Sequence, residues 1–313
     1  MPSKKNSSKS KHVESQSNPQ PPRSGMLTRV LFRPRMLAAL ALAVSATFLV
    51  PLAIPHLPDL REQAEYRLPT SEINIRRIPH WVPHDLLDQV IETGGLPQEV
   101  SMLDANLTHD VAAAFALHPW VEEVVSVRKT HPARIDVELE FRKPVAMVQV
   151  ANGMYAVDAH GTLLPPTDFS VADTKKFPVI QNVKSTPQGP AGTNWGDIGV
   201  IGAARLANVL FAHWKEFGLA AIVVPRQKSA DAQADDFLYE LKTIGGSKIV
   251  WGRIPDSDYP GELSADQKIG RLKRYLEDFD SFDHPHGPYE IDIRHWREIS
   301  RRPISLRARN PIR

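Results

Sequence analysis

The chain has 313 residues, 42% of them hydrophobic, which is enough to bury one sizeable core and leaves room for a second. Its net charge of +2 hides an asymmetry: residues 1–35 carry eight of the 38 Lys and Arg residues with one acid, whereas the remainder carries 30 basic against 35 acidic residues. The mildly acidic bulk argues against a nucleic-acid binder, whose folded part would carry a basic patch. There is no cysteine, so the fold is held by burial and hydrogen bonding without disulfides.

The N-terminal quarter of the chain predicts a membrane anchor. Residues 1–35 are basic, rich in Ser, Asn and Gln, and too poor in apolar side chains to offset the entropy of ordering, so they predict a disordered cytoplasmic tail. The run from Met36 to Pro55 has no ionisable residue, and twenty residues at about 1.5 Å each span about 30 Å, the thickness of a bilayer core. This predicts a transmembrane helix over residues 36–57, and its length favours an uncleaved anchor over a cleaved signal peptide. Residues 58–71 then predict a short stalk on the exported side.

Residues 72–144 predict a domain with the order β-α-α-β-β. A short strand from Ile73 is followed by an apolar helix face that ends at Gly94-Gly95 and by a second helix that ends at His118-Pro119. Two strands follow, and the second, Arg134 to Arg142, alternates strictly. Its predicted buried face comprises Ile135, Val137, Leu139 and Phe141, and its predicted solvent face comprises Asp136, Glu138 and Glu140.

Residues 145–299 predict a larger mixed α+β domain with a mainly antiparallel sheet. Asn152-Gly153 indicates a hairpin, and Ser264 is placed to cap an apolar-striped helix. The other predicted elements are a strand over 178–183, a helix over 198–217, a strand over 219–224, hairpin arms over 237–243 and 248–253, and a last strand from Tyr289 to Arg294. Residues 300–313, with five Arg and no acid, predict a basic C-terminal tail whose end is either frayed or in contact with an acidic partner or lipid.

No catalytic or cofactor chemistry emerges from the sequence. The spacing of Gly196, Gly199 and Gly202 is wrong for a dinucleotide-binding loop, and no hydrophobic strand leads into it. The acidic, His-containing loop over residues 280–286 has no regular spacing that would orient metal ligands, so a solvated connector is the preferred interpretation. We therefore expect no enzyme activity, no metal, no cofactor, no small-molecule substrate and no nucleic-acid partner.

A set of short motifs along the exported part matches a known family: His118-Pro119-Trp120-Val121, Ile135-Asp136-Val137, Arg142-Lys143-Pro144-Val145-Ala146, Tyr155-Ala156-Val157-Asp158, Phe177-Pro178-Val179-Ile180, Val250-Trp251-Gly252-Arg253 and Ile291-Asp292-Ile293-Arg294. In these motifs the exported part resembles the FtsQ (DivIB) family of bacterial cell-division proteins, whose first exported domain is a POTRA domain. His295-Trp296 departs from the family, in which a single aromatic residue often follows the final Arg. The family's order of tail, anchor, POTRA domain and β domain matches nearly the whole chain.

The resemblance implies a non-catalytic scaffold of the division machinery in the bacterial inner membrane at the septum. The implied partners are the FtsB- and FtsL-type coiled-coil division proteins, together with proteins of septal peptidoglycan synthesis. Partner binding is expected by β-strand addition to an exposed sheet edge formed by the last predicted strand. The predicted partner-binding residues are Arg253, Tyr289, Ile291, Asp292, Ile293, Arg294 and Trp296. Two other classes stay open: a POTRA-bearing envelope assembly or export factor, and a cell-wall-active envelope protein.

Overall fold

The computed structural model describes residues 34–53, 63–226 and 233–304. The chain divides into two units, Met1–Leu60 and Arg61–Arg313. Apart from Pro34 and Arg35, which begin the first helix, the predicted cytoplasmic tail lies outside the described residues, as do residues 54–57 of the predicted anchor and residues 305–313.

The first unit is described by one helix, α1 (Pro34–Ala53). It begins two residues before the predicted anchor and covers most of it. Within the ranges that the structure describes, no helix has the combined length and apolarity needed to cross a membrane. The transmembrane assignment of residues 36–57 stays a prediction.

The second unit contains five α-helices and thirteen strands among its described residues. The helices are α2 (Leu86–Gly94), α3 (Leu107–Ala116), α4 (Val171–Thr174), α5 (Ile198–Leu210) and α6 (Ala265–Phe279). The strands are β1 (Arg67–Pro69), β2 (Asn74–Arg76), β3 (Glu99–Ser101), β4 (Val121–Thr130), β5 (Arg134–Phe141), β6 (Ala146–Val150), β7 (Gly153–Val157), β8 (Val179–Gln181), β9 (Leu219–Val223), β10 (Tyr239–Thr243), β11 (Lys248–Gly252), β12 (Tyr289–Asp292) and β13 (Ser300–Pro303).

The first part of this unit has the predicted β-α-α-β-β order, with one addition. Strand β5 is the centre of a three-stranded sheet, β2-β5-β4, pairing parallel with β2 and antiparallel with β4. The additional strand β3 lies between the two helices and pairs with β1, so part of the predicted stalk is folded. As predicted, α2 ends at a glycine, because Gly95 takes a left-handed conformation with φ of 65° that favours this residue.

The predicted solvent face of β5 is wrong at one position. Asp136 is only 8% exposed, and its burial is offset by hydrogen bonds that its oxygens accept from Asn74 Nδ2 at 2.7 Å and Arg134 Nε at 3.0 Å. Asn74 comes from the parallel neighbour β2, and this pairing could not be read from the alternation of β5 alone. Of the four predicted inward residues, Ile135, Val137 and Leu139 are buried, as expected, and Phe141 is half-buried.

The second part is built on an eight-stranded sheet with the order β13-β12-β11-β10-β9-β8-β6-β7. Four of its seven strand pairs are antiparallel and three are parallel, so it is a mixed sheet richer in antiparallel pairing. The predicted hairpin at Asn152-Gly153 joins β6 to β7. The predicted cap of α6 is also confirmed, since the Ser264 hydroxyl accepts from the Gln267 N–H and the Gln267 side chain accepts from the Ser264 N–H.

Two hydrophobic cores lie in this unit, and strand β6 contributes to both. Its side chains alternate between its two faces, so Ala146 and Val148 join the core of the large sheet, whereas Met147 joins the core around α2, α3 and β5. Trp120 reinforces the junction, because its indole N–H donates to Asp168 Oδ2 at 2.7 Å. The predicted domain boundary between residues 144 and 145 stays a prediction.

The glycine-rich start of α5 serves helix packing. A methyl group at Gly202 would overlap the Tyr239 hydroxyl, which donates to the Gly199 carbonyl at 3.1 Å. These two glycines therefore allow α5 to lie directly against β10.

Two sequence expectations about the C-terminal region are corrected by the sheet order. The strand predicted as an exposed edge, β12, is covered on its outer side by β13, which pairs with it antiparallel. Residues 300–303, assigned from sequence to a basic tail, form this covering strand. Arg-rich composition indicated a tail, but Arg and Pro are also the residues that outermost strands tolerate.

Candidate partner-binding edge

Strand β12 lies one position inside the edge of the large sheet. It pairs parallel with β11 on one side and antiparallel with β13 on the other. The outermost strand at this end, within the described residues, is β13, three of whose four residues are exposed.

The hydrogen bonds of β12 show which backbone groups face each neighbour. The Tyr289 N–H donates to Ser247 Oγ at 2.8 Å, and the Ile293 N–H donates to the Val250 carbonyl at 3.5 Å, so the odd-numbered amides face β11. On the other side, the Ile304 N–H donates to the Pro288 carbonyl at 2.9 Å. Since hydrogen-bonded pairs alternate along an antiparallel ladder, the amides of Glu290 and Asp292 face β13. We call this outer side of β12 the acceptor edge.

Three of the predicted partner-binding side chains point into the core. Tyr289, Ile291 and Ile293 are 6%, 0% and 0% exposed and belong to the same core as Leu272 and Tyr275 of α6. Their contribution to the candidate edge is therefore through the backbone, and their side chains fix the strand against α6.

Asp292 and Arg294 form a closed ion pair beside the acceptor edge. Arg294 Nε and Nη2 donate to Asp292 Oδ1 and Oδ2 at 3.0 and 2.7 Å, and the Arg294 backbone N–H donates to Oδ1 at 3.0 Å. Burial raises the pKa of Asp292, but these hydrogen bonds outweigh it and hold the pKa below its ordinary value. The same hydrogen bonds raise the pKa of Arg294.

Arg253 lies in a neighbouring charged cluster at the end of β11. Its backbone N–H donates to Glu262 Oε1 at 3.0 Å, and its guanidinium carbon lies 3.5 Å from the centre of the Tyr259 ring. Glu262 also pairs with the Lys268 ammonium, which is 1% exposed. Burial, together with the charges of Arg253 and Arg294, lowers the pKa of Lys268 more than Glu262 raises it.

Gly252 brings the two charged groups together. Its φ of 99° is in the left-handed region, and a methyl group there would lie 2.7 Å from Glu262 Oε1 and 3.2 Å from Arg294 Cγ. The glycine therefore lets Arg294 and Glu262 approach the backbone between β11 and Arg253.

Trp296 stands apart from these groups. Its indole is 71% exposed and lies beside Arg297, whose guanidinium carbon is 4.9 Å from the ring centre. The segment that carries it is tied to α6, because Arg271 donates to the carbonyls of Trp296 and Glu298 at 3.0 and 2.5 Å. The indole is thus presented to solvent next to β13.

A ladder of charges that the sequence analysis missed crosses the exposed face of this end of the sheet. Lys248 Nζ lies 2.9 Å from Glu240 and 3.3 Å from Glu290, and Glu290 lies 3.7 Å from Arg302. Burial lowers the pKa of Lys248, but the two carboxylates more than offset this and raise it above its usual value. The alternation of charge over residues 248, 290 and 302 becomes visible only when the strand order is known.

The other sequence-level candidates have structural roles. In the His-containing loop, Asp283 accepts from the Thr243 hydroxyl at 2.8 Å and the Ser247 N–H at 3.1 Å. Over residues 34–53, 63–226 and 233–304, no cluster of three or more His, Asp or Glu side chains is arranged to hold a metal.

These features define a mixed α+β protein whose antiparallel-rich sheet carries, at one end, charged side chains beside the outward-facing backbone amides of β12. No protein-family model matches the chain. The chain is 26% identical over 215 residues to "Cell division protein FtsQ" of Anaeromyxobacter sp. (strain K), covering 68% of this chain and 64% of that protein. It is 40% identical over 65 residues to "Cell division protein FtsQ" of Koribacter versatilis (strain Ellin345), covering 21% of this chain and 18% of that protein.

Each match spans less than two thirds of the relative's length. Both relatives carry the same name, and they confirm the resemblance predicted from the sequence. The chain is thus similar to FtsQ proteins over as much as 68% of its length.

Proposed function

We propose that this chain is a non-catalytic scaffold of the bacterial division machinery that binds other division proteins at the septum by β-strand addition. The names of its two relatives support a role in cell division. The proposed partners are FtsB- and FtsL-type coiled-coil proteins, and through them proteins of septal peptidoglycan synthesis.

The observation that carries the binding mode is the acceptor edge. The amides of Glu290 and Asp292 face outward from a strand whose other side is fixed to β11 and whose apolar side chains are fixed to α6. These amides pair with the short strand β13, and a partner segment that took its place would gain the same hydrogen bonds without a rearrangement of the core. Asp292, Arg294 and Arg253 frame the end of that strand and would supply specificity through charge.

The proposed scaffold is tethered to the inner membrane by residues 36–57, with residues 1–35 in the cytoplasm and the bulk of the chain in the periplasm. The support is the uncharged run from Met36 to Pro55 and the eight basic residues before it. In this topology the first part of the exported chain would be a POTRA domain over residues 72–144, followed by a β domain over residues 145–299.

Co-purification from detergent-solubilised membranes, with captured proteins identified by mass, tests the proposal. The tagged full-length parent should capture division proteins of the coiled-coil type. Glu290→Pro removes one outward amide and should reduce capture at least about tenfold, because proline has no N–H to donate. Glu290→Ala is the matched control: it also removes the carboxylate but keeps the amide, and it should bind within about threefold of the parent.

The outcomes separate the classes of function. Equal capture by both variants would mean that strand addition at this edge is wrong. A parent that captures no division protein would contradict the scaffold itself, and wall hydrolysis by the purified chain would favour a cell-wall-active protein.

A further inference from the structure

We infer that β13 is an intramolecular strand that holds the place of a partner strand at the acceptor edge and is displaced when the partner binds. The inference rests on the proposed function and adds to it a built-in competitor. The outward amides of β12 are already satisfied by this chain's own residues 300–303.

Strand β13 is loosely held against the rest of the sheet. Arg301, Arg302 and Pro303 are exposed and Ser300 is half-buried, so the strand contributes no side chain to the core of the sheet. By contrast, β11, on the other side of β12, contributes Ile249 and Trp251, both 0% exposed. Strand β13 can therefore leave while the apolar core stays covered, whereas β11 cannot.

The side-chain contacts of β13 with its neighbours lie on the surface of the sheet. Arg301 stacks over the rings of Phe279 and Tyr289, with its guanidinium carbon 4.4 and 4.8 Å from the ring centres, and Arg302 faces Glu290. Because these contacts lie on an exposed surface, they set the register of β13 against β12 but add little to the free energy that holds β13 in the sheet.

The contacts of β13 also indicate what kind of segment would replace it. The replacing strand would run antiparallel to β12, with a basic side chain opposite Glu290 and, on the other face, an Arg or apolar side chain over Phe279 and Tyr289. Pro303 pairs with Tyr289, where its nitrogen faces away from β12. A proline at that position of the partner segment is therefore tolerated.

Amide hydrogen exchange of the full chain, measured residue by residue by NMR, tests whether β13 opens by itself. The amides of Glu290 and Asp292 should exchange at least about tenfold faster than those of Ile291 and Ile293, because only the first pair depends on β13. The two pairs alternate along one strand, so each serves as the control for the other. Equal protection of all four amides would overturn the inference.

A disulfide latch tests the competition with a partner. Glu290 and Arg302 are paired residues on the exposed face, and a hydrogen-bonded antiparallel pair has a Cα separation of about 5.5 Å, which a disulfide can bridge. The chain has no native cysteine, so the Glu290→Cys/Arg302→Cys variant carries the only two thiols. Its oxidised form should capture at least about tenfold less partner protein than its reduced form in the same co-purification. The two single-cysteine variants control for the lost ion pair and should not respond to reductant.

The disulfide variant distinguishes failure of the proposed displacement of β13 from failure of the proposed scaffold function. Equal capture by the oxidised and reduced forms would overturn the displacement of β13 and, with it, strand addition at the acceptor edge, while capture of division proteins would still support a scaffold that binds through another surface. If neither the parent nor the reduced variant captures a division protein, both the inference and the proposed function are wrong.

Discussion

Strands β5 and β12 are built on the same pattern in two different sheets. Each pairs parallel with one neighbour and antiparallel with the other, and each alternates buried apolar residues with polar ones. Each also carries a nearly buried aspartate held by an arginine two residues away: Asp136 with Arg134, and Asp292 with Arg294.

The two strands differ in the neighbour on their antiparallel side. Strand β4 has ten residues and brings Val121 into the core, whereas β13 has four residues and brings none. The same local sequence pattern therefore pairs with a long strand that reaches the core in one sheet and with a short, exposed strand in the other. Under the proposed displacement of β13, the length and apolar content of the antiparallel neighbour decide whether that neighbour can be replaced.

The largest expected effect is the loss of stability caused by a buried charge, and it should be similar in β5 and β12. Val137→Asp in β5 and Ile291→Asp in β12 each place a charge without a partner at a site that is 0% exposed, which should cost at least about 4 kcal/mol. Urea denaturation of the full chain measures the loss. The control Glu140→Gln, at an exposed position of β5, should stay within about 0.5 kcal/mol of the parent. A small loss for Ile291→Asp would mean that the inward face of β12 is assigned wrongly.

The sequence predicted the elements whose signals are local. The glycine that ends α2, the hairpin at Asn152-Gly153 and the Ser264 cap of α6 each depend on a few adjacent residues, and all three are confirmed. The burial of Asp136 depends on Asn74, which lies 62 residues away, and no local pattern reports such a neighbour.

The strand that begins at Tyr289 is confirmed, but its predicted position at the edge of the sheet is wrong. Alternation correctly gave a strand from Tyr289, and the family resemblance pointed to Asp292 and Arg294, which the structure does join. The covering strand was missed because Ser300 to Pro303 has no apolar alternation, and such a segment becomes a strand only beside a template with free amides.

Low pH should remove the stabilisation contributed by Asp136 of β5 and Asp292 of β12, and to a different extent for each. The hydrogen bond from Asn74, with the charge of Arg134, lowers the pKa of Asp136, and the hydrogen bonds from Arg294 overcome burial to lower that of Asp292. A carboxylate whose pKa is lowered by folding stabilises the fold above the unfolded pKa of about 3.9, and this stabilisation is lost as pH falls through the lower, folded value. Thermal melts between about pH 6 and 2 should therefore show a steeper acid loss for the parent than for Asp136→Asn or Asp292→Asn.

The change should be larger for Asp136 than for Asp292, because Asn74 of a second strand also donates to Asp136, whereas the hydrogen bonds to Asp292 all come from Arg294. Acid profiles that are parallel for all three proteins would contradict the proposed role of both pairs.

The smallest expected effect belongs to the outer ion pair of β13. Arg302→Ala should change the free energy of unfolding by less than about 0.5 kcal/mol, because its side chain is 72% exposed and 3.7 Å from Glu290. The matched contrast is Arg142→Ala, directly after β5, where Arg142 Nη1 lies 2.9 Å from the buried Asp158 and its loss should cost about 3 kcal/mol. Equal losses in urea denaturation would mean that β13 is held as firmly as the interior strands.

The two-faced strand β6 makes unfolding a shared event for the two cores. Met147 belongs to one core, and Ala146 and Val148 belong to the other. If one core unfolds and β6 moves, the other core therefore loses the side chains that β6 contributes to it. Two cores coupled in this way lose their structure as one thermodynamic unit, so a substitution in the first lowers the melting temperature of the second as well. A cut after residue 144 would leave the Met147 side of the strand facing water, and the two pieces would each be less stable apart than the same residues are in the intact chain.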